Sequence, residues 1–227
     1  MLSFTPADYD AIRLSAKVAV VATLASLPFG FGAAYLLNYR TFRGKTLMEV
    51  FVNLPLTLPP VVIGYMLLLV LGKNGWLGRL LEPLGVRLIF TWKAAALASA
   101  VVGFPLLVRS IRIGMESIDE RLIQASRTLG ARWYDTLFTV IVPLSFRGIM
   151  AGSSLMFARS LGEFGATIIV AGNIPGVTQT MPLAIYDYAS SPGGETMALS
   201  LCLVSLALSL LVLLLHEVIG KKLARKD

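Results

Sequence analysis

Few residues in this chain have types and spacing that could do chemistry. Gly44-Lys45-Thr46 has the ending of a phosphate-binding loop. That pattern needs a glycine five residues before Gly44, where Tyr39 stands. The tripeptide lies in a short basic connection between two apolar segments, so it reads as a solvated turn, and the chain is not expected to bind ATP. His216 is the only histidine, and one histidine builds neither a zinc site nor a Ser/His/Asp relay. Cys202, the only cysteine, sits in an apolar run, which excludes an intrachain disulfide and a cysteine metal cluster. No HExxH, nucleophile elbow or pair of clustered intramembrane aspartates occurs. No catalytic residue, metal or cofactor is therefore expected. What remains is a pair of opposite charges, Arg159 and Glu163, four apart in an otherwise apolar stretch.

The elements that position such a pair follow from composition. Of 227 residues, 56% are hydrophobic and 15% charged, with mean hydropathy +0.76. Soluble domains carry roughly 25% charged residues, so this chain has too little polar side chain to cover a water-facing surface. A soluble, disordered or disulfide-stapled protein is excluded. A formal charge of +7 would suggest nucleic acid in a soluble protein. Here lysine and arginine orient membrane spans, and the lipid bilayer replaces nucleic acid as the partner.

Crossing ~30 Å of hydrocarbon takes about 20 helical residues. Leu14–Leu37, Leu47–Leu71, Phe90–Val108 and Met197–Ile219 qualify. A fifth span lies between Thr136 and Gly172, as Thr136–Ala158 or as Ser145–Ala171. The connections carrying Arg40, Arg43, Lys45, then Arg109, Arg112, Arg121, Arg127, Arg132, Arg147, then Lys221, Lys222, Arg225, Lys226 fall on one side of a five-span protein. The positive-inside rule predicts the amino terminus outside and the carboxyl terminus in the cytoplasm. Pro28, Pro55, Pro59, Pro60 and Pro105 fall in or beside the spans, and Asn53–Pro60 cannot form one straight helix. Such a stretch reads either as ordinary packing or as a broken helix lining a path.

The segment Ser117–Pro143 is the informative soluble one. Ser117-Ile118-Asp119-Glu120 resembles a capped helix start, with the Ser117 hydroxyl as cap ahead of two acids that suit the helix dipole. Leu122, Ala125, Ser126 and Leu129 recur at helical spacing, Gly130 stops the helix, and Trp133, Leu137 and Val140 begin another. Two short amphipathic helices at a membrane surface suit either a docking lever for another protein or a simple re-entry hairpin.

Gln124-Ala125-Ser126, Gly130 and Ile141-Val142-Pro143 resemble the EAA loop of permease subunits in bacterial ATP-binding-cassette importers. That family's pattern is Glu-Ala-Ala, a glycine, and a closing Ile-x-Leu-Pro; this chain departs from it at Gln124, Ser126 and Val142. The resemblance covers most of the chain. It implies an all-α membrane protein of the type I importer permease fold, one domain over residues 1–227 with about five transmembrane helices. It also implies that the loop over residues 117–143 rests in a cleft of a cytoplasmic ATPase subunit through Gln124, Ala125, Ser126, Leu129, Gly130 and Pro143. ATP hydrolysis is then expected on that separate subunit.

Ala158-Arg159-Ser160-Leu161-Gly162-Glu163-Phe164-Gly165, with Asn173-Ile174-Pro175-Gly176 and Pro192-Gly193-Gly194-Glu195, is similar to permeases for tetrahedral oxyanions, above all molybdate. The resemblance selects the Ser145–Ala171 register and places Arg159 and Glu163 in the membrane. It implies a homodimer in the bacterial or archaeal inner membrane, working with two ATPase subunits and a periplasmic oxyanion-binding protein. A path must hold its anion weakly enough to release it, which favours Ser153, Ser154, Thr167 and Asn173, with Arg159 and Glu163 beside them. The rivals are tungstate or sulfate/thiosulfate as substrate, an ATP-independent channel or carrier, and a scaffold that merely recruits a soluble partner.

Overall fold

The computed structural model describes residues 4–85 and 87–224. The side chains of His216 and of residues 219–224 lie outside that description, as do residues 225–227, so the readings of His216 and the closing basic cluster rest on sequence alone. No strand occurs among the described residues.

Helix α1 spans Pro6–Tyr39 and begins eight residues before the apolar run that predicted it. Thr5 caps it and Asp8 answers, its carboxylate accepting from the Thr5 N–H at 2.7 Å. That capping box starts a helix where hydropathy gives no signal. Helices α2 (Lys45–Thr57) and α3 (Pro60–Leu71) meet at 115°. The predicted discontinuity falls at Leu58–Pro59, where Leu58 is extended ahead of two residues lacking an N–H. Pro55 stays inside α2, and Pro28 and Pro105 stay inside continuous helices. After α4 (Trp76–Leu81) and a 3₁₀ turn, α5 runs Trp92–Glu116, eight residues beyond the predicted end.

Helix α6 (Glu120–Thr128) and α7 (Trp133–Thr136) lead through a π-helical turn and α8 (Val142–Leu144) into α9 (Phe146–Leu161). The expected single helix over 145–171 is interrupted: α9 stops at Leu161, and α10 is a separate segment, Gly165–Ala171. Helix α11 (Met181–Ala189) and α12 (Glu195–Ala224) close the chain. Among the described residues, three helices are long and apolar enough to cross a membrane alone, and two bent pairs bring the total to as many as five.

The centre is a bundle of α1, α5 and α9 held by small residues, which let backbones approach where lipid gives no drive to associate. A methyl group on Gly148 would stand 2.8 Å from the Gly114 Cα, and one on Gly30 would stand 2.6 Å from a Leu107 methyl. Tyr39 donates to the Met115 carbonyl at 3.1 Å, so α1 and α5 end together beside α6. At the opposite end of the bundle Tyr188 of α11 donates to Asp8 at 2.9 Å, and deeper down the Met181 N–H donates to Ser15 at 2.7 Å. Burial raises the Tyr188 pKa above the ordinary phenol value, as does its bond to Asp8, which keeps the donor protonated.

Candidate coupling surface and substrate path

Helix α6 follows α5 without slack. The Ile118 N–H donates to the Met115 carbonyl at 3.2 Å, and the cap of α6 is Asp119, accepting from the Arg121 N–H at 2.9 Å. Ser117, the expected cap, instead donates to the Gly114 carbonyl inside α5. A carboxylate one residue from the helix start has the reach and charge for this position. Ile118 and Ile123 sink into the core cluster that holds Ile111 and Met115. The face predicted from Leu122, Ala125 and Leu129 points away from it, with Leu129 88% exposed. Gln124 is exposed beside them. Ser126 lies 3.0 Å from Thr136, oxygen to oxygen, joining α6 to α7. Gly130 has φ +87°, and the N–H groups of Gly130 and Ala131 close the helix on the Arg127 and Ser126 carbonyls. Pro143 lies exposed in α8, ahead of the 64° bend into α9.

The second group surrounds the break after α9. Arg159 Nη1 is 2.8 Å from Glu163 Oε2, and Glu163 Oε1 accepts from the Ala166 N–H at 2.8 Å. One carboxylate, 1% exposed, thus closes the last turn of α9 and opens α10. That double use is the physical reason the expected continuous helix divides here. Thr167, one residue on, is fully buried and its hydroxyl has no hydrogen-bond partner among the described residues. The other expected path residues stand apart from this group in their bonding. Ser153 and Ser154 donate to the Ile149 and Met150 carbonyls of their own helix. Asn173 donates to Asp187 at 2.7 Å.

Sequence reasoning missed Asp187, which also accepts from Gln179 at 2.7 Å and so gathers the loop after α10. An isolated acid in the apolar run of α11 was the available signal. It missed Glu49, which bonds Arg112 of α5 across 63 positions of chain, a separation that no periodicity reveals. It also missed that the two helix breaks touch. A methyl on Gly165 would lie 3.1 Å from Pro60, and one on Gly64 would lie 2.7 Å from the Ala166 carbonyl oxygen. The start of α10 therefore packs directly on the start of α3.

Residues 26–225 match the family described as binding-protein-dependent transport system inner membrane component. The chain belongs to that family. Among curated relatives, the molybdenum transport system permease protein ModB of Escherichia coli K12 is 49% identical over 214 residues, 94% of this chain and 93% of that protein. The Haemophilus influenzae protein of the same name is 50% identical over 220 residues, 96% of each chain. The sulfate transport system permease protein CysW of Synechococcus elongatus is 35% identical, covering 96% of this chain and 76% of that protein. Solved structures share the fold at low identity. A bacterial alginate importer matches with TM-score 0.78 at 14% identity, over 96% of this chain and 80% of its own. The inward-facing MetNI methionine transporter matches with TM-score 0.69 at 14% identity, over 95% and 93%. The all-α importer permease fold expected from the resemblance is borne out.

Proposed function

We propose that this family member is the membrane-spanning subunit of an ATP-driven molybdate importer, working by alternating access as a homodimer. Two ATPase subunits sit below it in the cytoplasm and an oxyanion-binding protein docks above. The observation that carries the substrate is 49–50% identity over nearly the whole chain to permeases named for molybdenum transport. What supports the coupling half is α6, anchored by Ile123 while Leu122, Ala125 and Leu129 stand exposed. An apolar face left open on a short helix is wasted in a mere re-entry hairpin and suits a partner's cleft.

In this reading Gln124, Ala125, Ser126, Leu129, Gly130 and Pro143 form the lever, and hydrolysis belongs to the ATPase subunits. Closure of those subunits drives α6, opens the path outward to receive the dianion, and release resets it. The path runs past the two touching breaks, with Arg159 and Glu163 fixing their geometry and Ser153, Ser154, Thr167 and Asn173 near its wall. A two-fold axis completes what one copy lines by half. The termini lie outside (amino) and in the cytoplasm (carboxyl).

The test is uptake of labelled molybdate by the complex reconstituted with its ATPase and binding protein, with tungstate and sulfate as competitors. ATP-dependent uptake that sulfate fails to inhibit is expected. Uptake without the ATPase would indicate a carrier, and no uptake with stable partner binding would indicate a scaffold. The 35% identity to a sulfate permease keeps one second reading: preferential competition by sulfate would select it.

A further inference from the structure

Helix α2 buries none of its residues within this chain. Met48 and Val52 lean on the cluster that also holds Ile111, Met115, Ile118 and Ile123. Beside them Glu49 reaches α5, its Oε1 2.8 Å from Arg112 Nη1. Arg112 is itself aimed: its Nε donates to Glu116, one turn onward, at 2.8 Å. Two carboxylates thus hold the guanidinium in a fixed plane, a fork that a lysine ammonium cannot reproduce.

Arg112 lies one turn before the end of α5, and α6 begins four residues after that end. The Ile118 turn, the Asp119 cap and the burial of Ile118 and Ile123 make α6 and the end of α5 one rigid unit. Helix α2, in contrast, is an arm that continues through the 115° bend into α3, whose start packs on α10. Apolar contact through Met48 and Val52 is non-directional and lets the arm slide. The ion pair fixes which part of α2 follows which part of α5.

We propose that Arg112 is a positioning residue for transport, which through Glu49 makes the α2–α3 bend follow the docking helix α6. A partner's ATP-driven motion would then arrive at the two touching breaks. The inference rests on the importer reading above. Both members are about one-third exposed, and ion pairs of that kind contribute little to stability, so transmission and folding separate in a mutant.

The test uses the reconstituted complex with Cys202→Ser and Thr57→Cys, which puts a thiol beside the bend. ATP should change the labelling rate of that thiol in the parent. Arg112→Gln should diminish the change and lower molybdate uptake per ATP by up to about 5-fold, the most that an ion pair of this exposure carries. ATPase co-purification should be unchanged. If Arg112→Gln does not reach the membrane, Glu49→Gln breaks the same link while leaving Arg112 paired with Glu116. An ATP-dependent labelling change that survives undiminished in these variants overturns the proposal, as does loss of ATPase binding. Failure of the parent to take up molybdate defeats the substrate reading alone, because the labelling comparison does not depend on substrate.

Discussion

Arg159 and Glu163 close a 2.8 Å ion pair over the last turn of α9, and the second oxygen of the same carboxylate caps the first turn of α10. Arginine before glutamate is the weaker order for an intrahelical pair, yet the pair forms within one chain. Four-residue spacing already sets the two side chains on one helix face, and beyond Leu161 the same carboxylate turns back to α10.

Removing one member of such a pair leaves a charge without a partner in a water-poor site. In Glu163→Gln the stranded charge is Arg159, one-third exposed, so the cost falls below the about 3–5 kcal/mol of fully buried pairs while still exceeding that of removing both. Glu163→Gln should therefore sharply lower membrane level and uptake, and Arg159→Gln combined with Glu163→Gln should partly restore them. If Arg159 grips the anion instead, the double variant will show no recovery in the same uptake assay.

Gly130→Pro tests the lever. Proline demands φ near −65° where Gly130 has +87°, and it deletes the N–H that closes α6 on Arg127. Uptake and ATPase co-purification should vanish while the chain remains in the membrane. Leu129→Glu, at a site 88% exposed, should weaken ATPase binding with a stability change within about 0.5 kcal/mol. Normal ATPase binding in both variants would remove α6 as the docking element.

Orientation is accessible to labelling. In a Cys202→Ser background, a cysteine introduced between Arg40 and Lys45 should resist impermeant thiol reagents added outside. One between Lys73 and Arg79 should react. The reverse pattern would invert the assigned sides.

Gly148 faces Gly114 with no room for a side chain. Gly148→Leu should force α5 and α9 apart and destabilise the chain by about 1–3 kcal/mol, the usual cost of overpacking. A thermal midpoint in detergent equal to that of the parent would show that the two helices separate freely.

Much of the architecture was legible because lipid leaves few options: long apolar runs, Pro59-Pro60 and the glycine after Leu129 each dictate a local outcome. The long α5 was cut short because Arg109 and Arg112 end its apolar run, although charge does not end a helix. Ser117 reads as the cap by type, yet Asp119 takes that place, since both types serve and only geometry chooses. The break after Leu161 was hidden because it depends on one carboxylate reaching two partners at once. Ser153 and Ser154 suggested a polar path by type, but a hydroxyl in a helix readily satisfies itself on the carbonyl four residues back.

At 34 residues, α1 extends about 51 Å at 1.5 Å per residue, some 20 Å more than the ~30 Å hydrocarbon layer. The surplus belongs to the amino-terminal turns, where Asp8, Asp10, Arg13 and Lys17 recur and Lys17 lies 3.8 Å over the Trp92 ring. These turns carry charges that hydrocarbon does not suit, and they form a post braced to α11 through Asp8 and Tyr188. A modest change in bilayer thickness can shift the water line along this post, with Lys17 and Arg13 snorkelling to follow it. Uptake should accordingly vary little between vesicles of short and long acyl chains. A steep optimum at one chain length would mean that the post is held at a fixed depth.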